Sequence, residues 1–265
     1  YNNVLAGESL DGKAFFYVNP LEADAKYAAY ARTMPGMPFK PLLERAEVFD
    51  CSCCPPNLVR LFGQIGGVVY GEEDGVLYVD QYISSEVSAC GMTLSLMTDL
   101  PYTGSVSAKI TGKGRIAFRI PAWQTSIACW VNGTEVTPEQ REDYLYFSVD
   151  GQTDISIRFG MSVRFVYANA RIRADVGRKA VEYGPFVLCA ESADNGVDLS
   201  ALEIPSLDNA TIERTEYGVR VRVPAYRKIP AQALYTYRSP VLKECELILI
   251  PYYCWANRGE QDMQI

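Results

Sequence analysis

From residue 69 onward the chain alternates apolar and polar residues, and this pattern limits the possible folds more than any other feature. Alternation places one face of a strand in the core and the other in solvent. Turn signals such as Asp74-Gly75, Gly112-Lys113-Gly114, Asn132-Gly133 and Asp150-Gly151 separate the alternating runs. The predicted strands are 76–82, 92–98, 105–111, 116–120, 126–131, 144–149, 155–159, 163–168, 179–191, 219–223, 229–237 and 245–252. Short strands at this spacing predict antiparallel β-sandwich structure.

The first 68 residues have a different pattern. Residues 14–18 predict a short strand that ends at Asn19-Pro20, residues 21–32 have helical composition, and residues 34–41 form a Pro-rich loop. A further helix is predicted after Pro55-Pro56, with a stop at Gly66-Gly67. The fold class is therefore mixed but mainly β. The predicted domains are 1–68, 69–165 and 166–265.

Composition excludes several classes of function. The 265 residues are 48% hydrophobic and 22% charged, which is typical of a globular protein. A net charge of −7 argues against nucleic acid as the main partner. No apolar run reaches the roughly 18–20 residues of a membrane span. The first residues contain no initiator Met or signal sequence, so we expect Tyr1 to lie inside a longer protein.

Three cysteines within four positions form the most reactive motif, Cys51-Ser52-Cys53-Cys54-Pro55-Pro56-Asn57. Proline is tolerated in the first helical turn, so the thiols are predicted just before a helix N-terminus, where thiolate is favoured. Thiolate binds soft metals such as zinc and attacks electrophiles. The chain has no histidine, which removes the commonest general base and the commonest zinc nitrogen ligand. A complete zinc site therefore needs at least one ligand from outside this motif.

The other cysteines, Cys90, Cys129, Cys189, Cys245 and Cys254, occur singly in apolar strands. Such thiols commonly behave as small core residues, and their spacing does not resemble a disulfide framework. A reducing compartment, and hence a cytoplasmic location, is the expectation.

Aromatic and acidic residues add weaker candidates. Trp123 and Trp130 could stack on sugars, but filling the core is the favoured interpretation. Alternation turns Tyr17 to the face opposite Phe16. Single carboxylates in the first 68 residues are possible acids or bases, although each is more often a solvated surface group. They are Glu8, Asp11, Glu22, Glu44 and Glu47.

Several motifs together resemble glycoside hydrolase family 127, whose typical activity is β-L-arabinofuranosidase. The most specific is the Cys-x-Cys-Cys-Pro-Pro-Asn run, and the others agree with it in order along the chain. They are 16–22, 118–123, 131–133, 181–185 and 251–259.

The resemblance implies the end of an (α/α)6-barrel catalytic domain followed by β-sandwich domains. It also implies a zinc ion held by three cysteines and a glutamate, two of these thiols being Cys53 and Cys54. Cys53 would in addition be the nucleophile of a retaining mechanism, and Tyr17 would lie at the pocket for an arabinofuranoside. Cys51 matches the motif without an assigned role.

In the family, the remaining zinc ligands and the acid/base glutamate precede the region that matches Tyr1. The resemblance therefore implies the C-terminal portion of such an enzyme, and the 265 residues alone are expected to lack glycosidase activity. Two alternatives stay open. One is a non-catalytic β-sandwich module, carbohydrate-binding or structural, with a vestigial thiol cluster. The other is a thiol redox protein, which ranks last because neighbouring cysteines have poor disulfide geometry. The exact sugar and the oligomeric state are not predicted.

Overall fold

The computed structural model describes residues 2, 4–17, 19–36, 43–47 and 53–265. The chain is mainly β and divides into two units: unit 1 is Tyr1–Cys54 with Val163–Ile265, and unit 2 is Pro55–Ser162. The helices are α1 (Ala25–Thr33), α2 (Cys54–Gln64) and α3 (Ser192–Asn195), with 3-10 turns at Leu5–Gly7, Ile65–Val68, Arg173–Asp175, Leu199–Ala201 and Tyr252–Cys254. None of the described helices has the length and apolar character needed to cross a membrane.

The described strands are all short except for four long ones, two in each unit. They are β1 (Glu22–Ala23), β2 (Tyr70–Glu73), β3 (Val76–Val79), β4 (Ser85–Ala89), β5 (Met92–Thr98), β6 (Ser105–Arg119), β7 (Ile127–Val131), β8 (Thr134–Val136), β9 (Glu139–Arg141), β10 (Tyr144–Phe159), β11 (Val163–Tyr167), β12 (Lys179–Tyr183), β13 (Phe186–Glu191), β14 (Leu202–Glu203), β15 (Thr211–Thr215), β16 (Gly218–Ile229), β17 (Val241–Pro251) and β18 (Met263–Gln264).

Unit 2 is built on a sheet in the order β2-β3-β6-β10-β7-β8, to which β5, β4 and β9 add. The alternation predicted from the sequence is present: Leu94, Ile110, Phe118 and Phe147 point to one buried cluster. The prediction of a strand over 92–98 is confirmed as β5. Burial of one face of each strand is what holds this sheet in register.

Two predicted turns in unit 2 lie inside long strands. The sequence predicted breaks at 112–114 and 150–151, but β6 and β10 pair without interruption and Gly151 lies opposite Gly112. Gly112 has φ +124°, and a Cβ at this position would lie 2.3 Å from the carbonyl oxygen of Gly91. Gly151 has φ +79°. Glycine accepts these angles at no steric cost, so both strands continue through this point without losing their pairing.

We expect unit 2 to lose stability above pH 10 through Tyr82. Its hydroxyl donates to the carbonyl of Arg119, and burial raises the pKa of Tyr82 above the ordinary value of 10. A phenol whose pKa is raised by folding contributes stability that is complete below pH 10 and is lost as pH rises toward the folded pKa. Since Tyr82 keeps part of its surface in water, the loss should stay below about 1 kcal/mol per pH unit.

Urea denaturation followed by circular dichroism at several alkaline pH values measures this loss. Tyr82→Phe should flatten the alkaline fall in the free energy of unfolding. Tyr237→Phe is the matched control, because Tyr237 is fully exposed and should leave the slope unchanged. An identical slope in the Tyr82→Phe variant and the unmodified chain would contradict the assignment.

Unit 1 contains a second sheet in the order β1-β18-β13-β17-β16-β14, with β12, β11 and β15 added. The predicted strand at 229–237 is wrong. Strand β16 ends at Ile229 and β17 begins at Val241. The intervening residues carry almost fully exposed side chains, such as Leu234 at 96% and Tyr235 at 93%. Their apolar content suggested a strand, but no described residue of unit 1 covers them.

The predicted strand at 14–18 is reduced to isolated bridges from Phe15 to Glu8 and Ala46. Val18 lies outside the described residues, as do residues 37–41 of the predicted Pro-rich loop. The helical composition of 21–32 corresponds to α1 and the short β1 before it. Asp24 caps α1 by accepting a hydrogen bond of 2.8 Å from the Tyr27 N–H, which explains why the helix begins at Ala25.

An aromatic stack joins the first residues of unit 1 to its last. The Phe16 ring stacks on Trp255 at 5.0 Å, and Trp255 stacks on Tyr252 at 6.4 Å. The Arg45 guanidinium lies 4.7 Å from the Phe16 ring centre and donates to the Trp255 carbonyl at 2.6 Å and the Ala6 carbonyl at 2.8 Å. Burial lowers the pKa of Arg45 to about 10. The stack therefore holds the segment that carries Phe16 and Tyr17 against the end of the chain.

A buried carboxylate also stabilises the segment that follows Trp255. Glu191 is fully buried, accepts the Ala256 N–H at 2.8 Å and forms an ion pair with Arg258. Arg258 also pairs with Asp194. Hydrogen bonds from Arg258 hold the pKa of Asp194 below its usual value. The network fixes the 256–258 turn that follows Trp255, so its role is structural.

Candidate functional site

The thiol motif lies where the second helix begins, as the sequence predicted. Helix α2 starts at Cys54, and Pro55 and Pro56 occupy its first turn. Proline has no N–H, and the first-turn N–H groups have no partner inside the helix, so nothing is lost by placing proline there. Cys53 directly precedes the helix and is exposed, while Cys54 is half-buried. Cys51 lies outside the described residues.

The two described thiols lie close enough to share a metal ion. The Sγ atoms of Cys53 and Cys54 are 3.8 Å apart. Two sulfurs bound to one tetrahedral zinc at about 2.3 Å would be about 3.8 Å apart. Within the described residues no third Cys, Asp or Glu side chain joins them in a metal-binding group. The pair fits one edge of a zinc tetrahedron, and the other two ligands are needed from outside these residues.

Tyr17 belongs to the same unit as the two thiols and directly follows Phe16 of the aromatic stack. The residue is half-buried, and its hydroxyl is withdrawn from solvent. Phe16 packs in the core of unit 1. The opposite orientation of Tyr17, which alternation predicts, stays a prediction. The structure thus brings Cys53 and Cys54 together and anchors Tyr17 through its neighbour.

The remaining cysteines lie apart from this pair. Cys129 and Cys189 are buried, whereas Cys90, Cys245 and Cys254 are half-buried. Burial raises the pKa of the Cys129 thiol to about 11 and that of Cys254 to about 12. Burial also raises the pKa of Cys189 well above its usual value. Protonated thiols are poor nucleophiles, so Cys129, Cys189 and Cys254 have the core role predicted from the sequence. Cys90 lies instead in the turn between β4 and β5.

Thiol labelling should separate the two classes of cysteine. In the folded chain with a chelator present, a disulfide reagent should modify Cys53 rapidly, because its thiol is exposed. Cys129 and Cys189, at 2% and 0% exposure, should react only after denaturation. Peptide mass mapping of samples taken over time assigns each label. Modification of Cys189 as fast as Cys53 would contradict the described packing.

The two candidate tryptophans behave differently. Trp123 packs edge-on against Phe159 at 6.1 Å and contacts the core of unit 2, as predicted. Trp130 is half-buried on β7, where the neighbouring Cys129 points into the core instead. Sequence reasoning missed Arg45 and the buried Glu191 network, since a lone arginine or glutamate carries no local signal of burial.

Comparison with protein-family models matches three consecutive parts of the chain. The GH127 catalytic domain of beta-L-arabinofuranosidase matches residues 1–67, the GH127 middle domain residues 76–162, and the family 127 C-terminal domain residues 163–265. Together these matches include the thiol motif and both units.

Individual relatives agree with the family models. A non-reducing end beta-L-arabinofuranosidase from Bifidobacterium longum subsp. longum is 34% identical over 100% of this chain and 43% of its own length. A GH127 beta-L-arabinofuranosidase from Geobacillus stearothermophilus T6 is 30% identical, with a TM-score of 0.87 over 98% of this chain and 43% of that structure. The GH127 beta-arabinofuranosidase BT3674 is also 30% identical, with a TM-score of 0.81 over the same shares. The chain spans less than half the length of these relatives. By its sequence and its structure, the chain belongs to glycoside hydrolase family 127.

Proposed function

We propose that this chain forms part of a retaining β-L-arabinofuranosidase in which Cys53 is the nucleophile and Cys53 and Cys54 bind zinc. The observation that carries the proposal is the 3.8 Å separation of the two Sγ atoms at the start of α2. The names of the relatives supply the substrate class, a β-L-arabinofuranoside. Tyr17, anchored beside Phe16, is the proposed contact to the sugar.

The chemistry of the two thiols suits this role. Bound zinc would keep its thiol ligands deprotonated at neutral pH. The Cys53 sulfur attacks the anomeric carbon, and the bond to the leaving oxygen breaks as a carboxylic acid protonates that oxygen. Water then attacks the same carbon, gives up a proton to the carboxylate and releases the thiolate. Two displacements at one carbon retain its configuration.

The acid and the other two zinc ligands must come from outside the metal-binding pair. Among the described residues no Asp or Glu groups with Cys53 and Cys54. Residues 1–68 would then be the end of an (α/α)6 barrel, followed by sandwich domains. In support, α2 buries none of its residues and leaves Val59, Leu61 and Phe62 exposed. An apolar helix face that is uncovered within the described residues is typical of a helix from a larger helical assembly. The free thiols also favour a reducing, cytoplasmic location.

Metal analysis of the intact gene product tests the zinc site. We expect about one zinc per molecule, because a tetrahedral thiolate site binds a single ion. Cys53→Ala and Cys54→Ala should each lower the zinc content. Cys245→Ala is the matched control, since Cys245 is a half-buried thiol of unit 1 away from the motif, and this variant should keep its zinc. Full zinc content in both the Cys53→Ala and Cys54→Ala variants would refute the site.

A further inference from the structure

The outer face of the unit 2 sheet carries a group of tyrosines that the proposed chemistry does not use. Tyr78 on β3 and Tyr146 on β10 both lie opposite Ala117 of β6, one on each side. Ala117 is fully buried beneath them, although it lies on the outer face. Tyr144, two residues before Tyr146, points to the same side. We call Tyr78, Tyr144, Tyr146 and Ala117 the tyrosine face.

The rings of this face are fixed against one another and keep spare hydrogen-bonding capacity. The Tyr78 ring meets Tyr144 and Tyr146 edge-on, at 5.2 Å and 6.2 Å. The Tyr78 and Tyr146 hydroxyls are 3.4 Å apart, so one of them donates a hydrogen bond to the other. The proton of the accepting hydroxyl then remains available to a ligand. Tyr144 donates to Asp80 at 2.6 Å, which leaves further acceptor sites on that carboxylate.

Most of the charged side chains around the tyrosine rings pair with one another. Arg115 and Arg141 lie 5.2 Å and 5.7 Å from the Tyr146 ring centre, and both bind Glu139. Arg119, which lies opposite Tyr144 in the sheet, is exposed, and its side chain forms no hydrogen bond or ion pair among the described residues. The face therefore has ordered aromatic rings, hydroxyls, one free guanidinium and little net charge.

This chemistry matches an uncharged polyhydroxy ligand. The C–H face of a sugar ring packs against aromatic rings, which carry a negative π face. Its hydroxyls accept from a guanidinium and donate to a carboxylate, and such charge-assisted hydrogen bonds are the strong ones. A phosphate-rich ligand would need an excess of cations that the paired arginines do not provide.

We propose that the tyrosine face is a carbohydrate-binding surface. Because the Arg115 and Arg141 guanidinium groups lie over the Tyr146 ring, the sugar packs against Tyr78 and Tyr144, with hydroxyls bound by Arg119 and Asp80. The choice of an arabinofuranosyl oligosaccharide as its ligand rests on the proposed function. The surface itself lies wholly within unit 2 and involves neither thiol.

Saccharide binding by the 265-residue chain tests the surface directly. The probes are a soluble arabino-oligosaccharide in isothermal titration and arabinan in native affinity gels, both with a chelator present. Tyr78→Ala should weaken binding about tenfold, equivalent to about 1.4 kcal/mol of lost ring contact. Arg119→Gln should weaken it about fivefold without disturbing the fold, because the Arg119 side chain is exposed and unpaired. Tyr237→Ala replaces a fully exposed tyrosine of unit 1 and should leave the affinity unchanged.

Three results would overturn the proposal: absence of saccharide binding by the unmodified chain, unchanged affinity in the Arg119→Gln variant, or self-association that Arg119→Gln abolishes. The last result would make the face an interface between copies, for which tyrosine and arginine are also typical. Binding that persists with the chelator separates this surface from the zinc site, so either proposal can fail without the other.

Discussion

Replacing Cys53 with alanine in the intact gene product should lower kcat for an aryl β-L-arabinofuranoside by about a thousandfold or more, the scale seen when a covalent nucleophile is removed. The reason is that, in the proposed mechanism, the Cys53 sulfur forms the bond to the anomeric carbon. Steady-state kinetics with the purified variants measure the loss. Cys245→Ala should retain the activity of the unmodified enzyme.

Two further measurements separate a nucleophile from a ligand that only holds zinc. Zinc content is determined on the same Cys53→Ala preparation, so that lost activity is not attributed to lost metal. Added azide should restore turnover of an activated substrate in Cys53→Ala. It should give a glycosyl azide of inverted configuration, because azide attacks the anomeric carbon once in place of the sulfur. Full hydrolysis by a zinc-loaded Cys53→Ala variant would exclude the nucleophilic role.

Replacing Trp255 with alanine should destabilise unit 1 by about 4 kcal/mol, a typical cost for removing a large buried aromatic ring. Trp255 is 0% exposed and lies between Phe16 and Tyr252. Its loss leaves a cavity and removes both ring contacts. Urea denaturation followed by circular dichroism gives the free energy of unfolding.

Trp255→Phe is the informative second variant. The indole N–H of Trp255 is buried and has no hydrogen-bond partner among the described residues. An unpaired buried donor costs about 1–3 kcal/mol, so removing it offsets part of the lost packing. Trp255→Phe should therefore destabilise unit 1 much less than Trp255→Ala. The half-buried Trp130 is the control, and an equal loss in Trp130→Ala would contradict the special role of the stack.

Local patterns predicted β3, β5, β7 and both halves of β6 and β10 in unit 2, but they missed β2, β4, β8 and β9 and misread two glycine positions. Asp150-Gly151 and Gly112-Lys113-Gly114 have the composition of turns. They lie inside β6 and β10 instead, where Gly112 and Gly151 face each other in paired strands, a relation that the sequence does not display. Residues 230–240 gave the opposite error, because a strand was predicted there and none forms. Apolar composition alone does not supply a neighbouring strand to pair with.

The candidate site was predictable to the extent that it is local. Cys53, Cys54 and the two prolines are adjacent in the chain, so their position at the start of α2 follows from helix chemistry. The support of Tyr17 was not predictable. It depends on Arg45 and Trp255, which are 210 residues apart and meet only in the folded unit. The tyrosine face was missed because Tyr144 and Tyr146 look like ordinary strand residues until Tyr78 is placed beside them.

The aromatic stack also has a consequence for the order in which the chain acquires structure during synthesis. Unit 2 is contiguous, so all of its residues have left the ribosome before β17 is made. Phe16 and Arg45 are translated before unit 2, whereas their partner Trp255 is translated after it. Since domains generally fold as they emerge, unit 2 can begin to fold while the segment that bears Tyr17 still lacks its partner.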